Sequence, residues 1–139
     1  MGKLILLRGG SAVDAAICAT LCQGVTTPQA SGIGGGFLAT IFIKNTNKIV
    51  TLNAREVAPL GAHKNMFEEA SSTEGGLSIA VPTEVKGLFE LHQRYGKLSW
   101  SEIIEPVAEV AENGFKVNNY LAAVLVNREA KIRAIKGFQ

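Results

Sequence analysis

Residues 37–55 read FLATIFIKNTNKIVTLNAR, and this stretch predicts two adjacent β-strands joined by a short turn. The first part, Phe37–Ile43, is apolar at nearly every position, as expected of a strand covered on both faces. Lys44–Lys48 contains two asparagines, which are typical of a hairpin turn. In residues 49–55 apolar and polar side chains alternate, so Arg55 shares the polar face of the second strand at its end.

Arg55 is the most informative residue of this pair of strands, and the pattern leaves two interpretations open. A guanidinium is a planar fork of N–H donors that can bind a small carboxylate through two parallel hydrogen bonds, which lysine does less well. The alternative is a solvated arginine at a strand end, paired with a neighbouring acid. The strand pattern alone favours the second interpretation, because surface ion pairs are common and weak.

The composition indicates a globular protein with a core. The chain has 139 residues, 47% of them hydrophobic and 19% charged, which is typical of one folded domain and not of a disordered segment. We expect a single partial domain over residues 1–139. The net charge of +2 arises from interspersed signs without a basic run, so the sequence argues against a nucleic-acid partner.

Helices are predicted on both sides of the strand pair. Ser11 and Asp14 have the spacing of a capping box and start an apolar, buried helix that should end near Cys22, with Gly24 beyond it. The small side chains of this helix predict close packing against a sheet. The remaining predicted elements are a helix over 3–8, a strand over 77–81, a helix over 84–95 capped by Thr83, a helix from Ser99 to 113, and a helix over 118–133.

The usual cofactor and metal motifs are not supported. The cluster Gly32–Phe37 lacks the third glycine of a dinucleotide loop and precedes a strand instead of opening a helix. These glycines would allow the backbone to pass close to a neighbouring segment, or would allow a residue before the strand to adopt a positive φ. Cys18 and Cys22 lie one helical turn apart, and the two histidines belong to no ligand cluster, so buried structural thiols are the simpler interpretation. The sequence therefore predicts no cofactor and no metal.

Candidate catalytic side chains are also missing. Ser31 does not stand in the Gly-x-Ser-x-Gly pattern of a hydrolase nucleophile. Glutamates of the second half are expected to be solvated or to cap helices: Glu84, Glu90, Glu102, Glu105, Glu109 and Glu112. The residues taken alone supply one candidate binding group, Arg55, and no nucleophile.

Five segments follow one another along the chain in an order that is specific to one protein family: Gly9–Ile17, Ser31–Phe37, Asn53–Pro59, Gly75–Pro82 and Tyr95–Trp100. Together they resemble the γ-glutamyltransferase (glutathione hydrolase) family over nearly the whole chain. The triple glycine and the Asn-Ala-Arg-Glu sequence look more like animal members than bacterial ones.

The resemblance implies an α+β fold, the αββα sandwich of N-terminal-nucleophile hydrolases, present here as an incomplete N-terminal portion. Family members are made as a precursor that cleaves itself into a large and a small subunit. The N-terminal threonine of the small subunit then attacks the γ-glutamyl amide of glutathione, and water or an amino acid or dipeptide acceptor receives the glutamyl group. On this resemblance Arg55 holds the α-carboxylate of the γ-glutamyl donor.

The departures from the family pattern define an alternative. The chain matches the early part of the large subunit, so the remainder of that subunit and the small catalytic subunit are expected partners, and this segment alone is expected to be inactive. A truncated, non-catalytic homologue that acts by association is the alternative.

Thr83 stands where the family commonly has glycine, and a helix-capping threonine fits there. The family implies the plasma membrane or its extracellular face, although no signal peptide or anchor is expected in this chain.

Overall fold

The computed structural model describes residues 1–135 and residue 137, which fall into two compact units. One unit consists of Met1–Gly32 with the described residues from Leu98 onward, and the other is Ile33–Lys97. The helices are α1 (Gly2–Leu7), α2 (Ala12–Thr26), α3 (Glu84–Tyr95), α4 (Trp100–Asn113) and α5 (Asn119–Arg133), and the strands are β1 (Phe37–Ile43) and β2 (Lys48–Ala54).

Helix α2 begins at the predicted capping box but ends later than expected. The Ser11 hydroxyl accepts from the Asp14 backbone N–H at 3.1 Å, and an Asp14 carboxylate oxygen accepts from the Ser11 N–H at 2.8 Å. The helix continues through Gly24 to Thr26, so this glycine does not end the helix but lies close to another segment. A Cβ there would lie 3.0 Å from the Gly32 Cα. Within its unit α2 packs against the helices α1 and α4.

Asp14 joins the start of α2 to the segment that precedes α4. Its side chain is fully buried, and the same oxygen that caps Ser11 also accepts from the Leu98 N–H at 3.2 Å. The capping box of α4 is as predicted, with Ser99 and Glu102 bonded reciprocally. Hydrogen bonds from Ser99 lower the pKa of the exposed Glu102 carboxyl. Asn118 caps α5 at its predicted start.

We predict that Asp14→Ala lowers the free energy of unfolding by about 2–3 kcal/mol, because it removes a helix cap and the carboxylate oxygen that accepts from the partly buried N–H groups of Ser11 and Leu98. Asn118→Ala, which removes a cap without a second contact of this kind, is the matched control and should cost about 1 kcal/mol. Chemical denaturation of both variants measures the difference. Equal losses would show that the Leu98 contact adds no stability.

The second unit contains the predicted pair of strands. β1 and β2 are antiparallel and in register from Phe37 opposite Ala54 to Ile43 opposite Lys48. The connection is a 3-10 turn followed by Asn47, whose φ of 50° lies in the left-handed region that asparagine tolerates. The prediction that both faces of β1 are covered is wrong for the described chain. Apolar side chains of the sheet stand exposed on one face: Leu38, Phe42 and Ile49.

The predicted strand over residues 77–81 is absent. Gly76–Ser78 form a 3-10 turn, and Val81 makes an isolated β-bridge with Val57. The turn forms because Gly75 adopts a φ of +82° and its carbonyl accepts the Ser78 hydroxyl at 2.7 Å. Helix α3 follows with its predicted bounds. Among the described residues, none of the helices has the length and apolarity needed to cross a membrane.

Candidate functional site

Arg55 lies directly after β2, on the exposed side that the alternation predicts. Its backbone N–H donates to the Asn53 side-chain oxygen at 3.0 Å, which forms a local asparagine turn at the end of the strand. Asn53 is exposed, whereas Ala54 is 6% exposed. The Arg55 side chain, which follows this buried alanine, is 57% exposed.

Glu56 holds the Arg55 guanidinium by one of its terminal nitrogens. The Arg55 Nη2 atom lies 2.6 Å from Glu56 Oε1, and the Glu56 side chain is 24% exposed. The ion pair that the alternative interpretation required is thus present, and an exposed pair of this type contributes at most about 1 kcal/mol. The contact involves the Nη2 atom of the Arg55 guanidinium, which carries further N–H donors on its other nitrogens.

Two glycines fit closely around Ala54 and leave its backbone little freedom. A Cβ at Gly36 would meet the Ala54 carbonyl oxygen at an impossible distance and would lie 2.7 Å from the Glu56 N. A Cβ at Gly87 would clash with the Ala54 Cβ and lie 3.0 Å from the Phe37 ring. The glycine cluster and α3 therefore enclose the residue that precedes Arg55, as the close-approach interpretation of the cluster predicts. Gly32, with a φ of +150°, also fulfils the expected positive φ.

Thr83 does not cap α3 through its side chain, so that prediction is wrong. Its φ of −128° and ψ of −2° are not the extended geometry of a side-chain cap. The hydroxyl instead donates to the Ala54 carbonyl oxygen at 2.6 Å. The backbone N–H groups of Thr83 and Glu84 both donate to the Gly35 carbonyl at 3.1 Å, which ties the start of α3 to the glycine cluster.

Glu84 is buried, contrary to the expectation of a solvated or capping glutamate. It is 5% exposed, and its Oε1 atom has no hydrogen-bond partner within residues 1–135 and 137. Burial raises the pKa of the Glu84 carboxyl above its ordinary value, because the charged form loses hydration. The sequence carried no signal for this burial, since Glu84 occupies the first turn of α3, where a solvated acid is the common arrangement.

We predict that Glu84→Gln changes the pH dependence of stability. Above the ordinary pKa of 4.5 and up to the raised one, the folded state binds more protons than the unfolded state, so stability falls as pH rises through this window. Glutamine does not titrate, so the variant should gain stability relative to the wild type as the pH rises above 4.5. Thermal unfolding across that range measures the gain. The exposed Glu109→Gln is the control, and parallel curves for wild type and Glu84→Gln would contradict the prediction.

The other candidates from the sequence are the two cysteines and a possible metal site. Cys18 is fully buried and Cys22 half-buried, and both thiols are free. Burial raises the pKa of the Cys18 thiol, which fits a structural thiol and not a reactive one. In the part of the chain that the structure describes, no three histidine, cysteine or acidic side chains are grouped so as to hold a metal ion.

Comparison with known proteins identifies the family. The family model described as Gamma-glutamyltranspeptidase matches residues 1–139, the whole chain. The chain belongs to the γ-glutamyltranspeptidase family. It is 44% identical over 133 residues to Scoloptoxin SSD14 of Scolopendra dehaani and 41% identical over 134 residues to Glutathione hydrolase 3 of Arabidopsis thaliana. These alignments cover 94% and 95% of the chain.

The fold agrees with the family. The structure of the Helicobacter pylori γ-glutamyltranspeptidase superposes with a TM-score of 0.89 at 33% identity, covering 99% of this chain and 41% of that one. The predicted α+β class is confirmed, and the chain forms part of an N-terminal-nucleophile hydrolase fold. The chain spans 23% of the centipede relative and 21% of the Arabidopsis relative. What this γ-glutamyltranspeptidase segment does within a whole enzyme is therefore a separate inference.

Proposed function

We propose that this chain is the segment of a glutathione hydrolase or γ-glutamyltransferase that binds the donor, and that Arg55 grips the α-carboxylate of the γ-glutamyl group. The observation that supports this proposal is the state of the Arg55 side chain. Glu56 pairs with one guanidinium nitrogen, and the side chain is more than half exposed. A carboxylate ligand can accept two parallel hydrogen bonds from such a fork.

The rigid surroundings of Ala54 support this role. A binding group contributes most when its geometry is set before the ligand arrives. The strand register, the local turn at Asn53 and the close packing at Gly36 and Gly87 all act on the two residues before Arg55. A solvated surface arginine does not require this degree of backbone restraint.

The proposed reaction needs groups from elsewhere in the enzyme. In this proposal a threonine nucleophile of the small subunit forms the acyl-enzyme, and water or an amino acid or dipeptide acceptor resolves it. The remainder of the large subunit and the small subunit are thus the proposed protein partners, and γ-glutamyl compounds such as glutathione are the proposed donors. The extracellular face of the plasma membrane is the proposed compartment.

Hydrolysis of a pair of matched donors by the full-length protein tests the proposal. One donor is a γ-glutamyl anilide, and the other is its 4-aminobutanoyl counterpart, which lacks only the α-carboxylate. We expect kcat/KM to fall by at least about 100-fold on removal of the carboxylate, because several charge-assisted hydrogen bonds are lost. Equal kcat/KM values for the two donors would exclude a carboxylate-binding site.

A further inference from the structure

We propose that Thr83 is a positioning residue for donor binding and that it acts through its hydroxyl on the backbone that carries Arg55. The inference rests on the proposed function of Arg55 and adds a residue to that site. Thr83 lies 28 positions further along the chain, in a loop that the sequence connected only with the start of α3. The hydrogen bond to the Ala54 carbonyl, at 2.6 Å, brings it to the residue before Arg55.

Thr83 links the two chain segments that surround Ala54. Its N–H donates to the Gly35 carbonyl at 3.1 Å, and its hydroxyl donates to the Ala54 carbonyl. Gly36, the next residue of the glycine cluster, faces that same carbonyl oxygen. Thr83 thus connects the glycine cluster to the end of β2, next to Arg55.

The hydroxyl acts on a peptide group whose orientation bears directly on Arg55. The Ala54 carbonyl and the Arg55 N–H belong to one planar peptide unit, so fixing one end orients the other. The Arg55 N–H is itself bonded to Asn53, which gives this unit a defined partner at each end. Loss of the Thr83 bond removes one of the bonds that orient this unit, and an error of about 0.5 Å at a binding group is enough to weaken a bidentate contact.

The Thr83 hydroxyl can be removed by a substitution that keeps the shape of the side chain. Thr83 is half-buried, and valine has the same branching with a methyl group in place of the hydroxyl. Serine keeps the hydroxyl and loses the methyl group. The two variants therefore separate the hydrogen bond from the packing of the side chain.

The test measures KM and kcat of the full-length protein for the γ-glutamyl anilide and for its 4-aminobutanoyl counterpart. We expect Thr83→Val to raise KM for the γ-glutamyl donor by about 3- to 10-fold with little change in kcat, while KM for the donor without the carboxylate stays the same. Thr83→Ser should restore the wild-type KM. Thr73→Val, which removes an exposed loop hydroxyl that contacts Ser71, is the control and should change neither parameter.

Two further variants, Thr83→Ala and Arg55→Lys, complete the test of Thr83. Thr83→Ala lacks the hydroxyl and adds no bulk, so it carries the same test if Thr83→Val does not fold. An equal rise in KM for both donors, or a serine variant that behaves like valine, would show a merely structural role and overturn the inference. Arg55→Lys is measured in parallel. If Arg55→Lys raises KM and the Thr83 variants do not, the inference about Thr83 fails alone; if Arg55→Lys leaves KM unchanged, the proposed function fails.

Discussion

Arg55→Lys should raise KM for a γ-glutamyl donor by about 10- to 100-fold in the full-length protein, because lysine keeps the charge but cannot form two parallel hydrogen bonds to a carboxylate. A hydrogen bond to a charged group contributes about 1.5–3 kcal/mol, which corresponds to this range of affinity. Steady-state kinetics with the γ-glutamyl anilide provides the measurement. The effect should fall mainly on KM if the α-carboxylate is held equally in the ground state and the transition state.

Arg94→Lys is the matched control for this substitution. Arg94 is also an exposed arginine in contact with a glutamate, with its Nη2 atom 2.5 Å from Glu90 Oε1 and its side chain 55% exposed. It lies on α3, in the same unit as Arg55. Donor KM values that change equally in the two variants would indicate a general effect of surface charge and would contradict the role of Arg55.

Gly36→Ala is expected to be among the most damaging single substitutions in the second unit. The added Cβ would collide with the Ala54 carbonyl oxygen and the Glu56 N, which are backbone atoms and cannot rotate away. We expect a loss of about 2–3 kcal/mol in the free energy of unfolding, within the range of an overpacked site, together with a displaced Arg55. Chemical denaturation measures the first effect and donor KM the second.

Gly34→Ala gives the comparison that isolates this contact. A Cβ at Gly34 meets nothing within 4 Å, so the change should be neutral or should stabilise by up to about 1 kcal/mol through the unfolded chain. A Gly36→Ala protein as stable as Gly34→Ala would show that the glycine cluster does not restrain the end of β2.

The strand pair and the helix starts could be predicted from local pattern. The alternation at residues 49–55 set the exposed side of Arg55, and the capping boxes at Ser11 and Ser99 set two helix starts, because each signal depends on neighbours within about four residues. The predicted end of α2 was wrong. Gly24 lies close to Gly32, and the local sequence pattern does not reveal this contact. Glycine looks the same in sequence whether it ends a helix or permits close packing.

The site itself was predictable only in part. Arg55 was found from strand alternation and from a family resemblance, and the family is now confirmed, whereas its role in binding stays a prediction. The Thr83 hydroxyl bond to Ala54 joins residues 29 positions apart, so the spacing of a helix cap gave the wrong partner. The burial of Glu84 depends in the same way on tertiary packing and not on its position in the first turn of α3.

The central claim is that the Arg55 guanidinium binds the donor α-carboxylate. The most direct measurement is the ratio of kcat/KM for the γ-glutamyl anilide to that for its 4-aminobutanoyl counterpart, determined in the wild type and in Arg55→Ala. If Arg55 makes this contact, removing the carboxylate should cost the wild type much more than the variant, and the ratio should fall by about 10-fold or more. A ratio that is the same in both proteins would contradict the claim, because the carboxylate would then be recognised without Arg55.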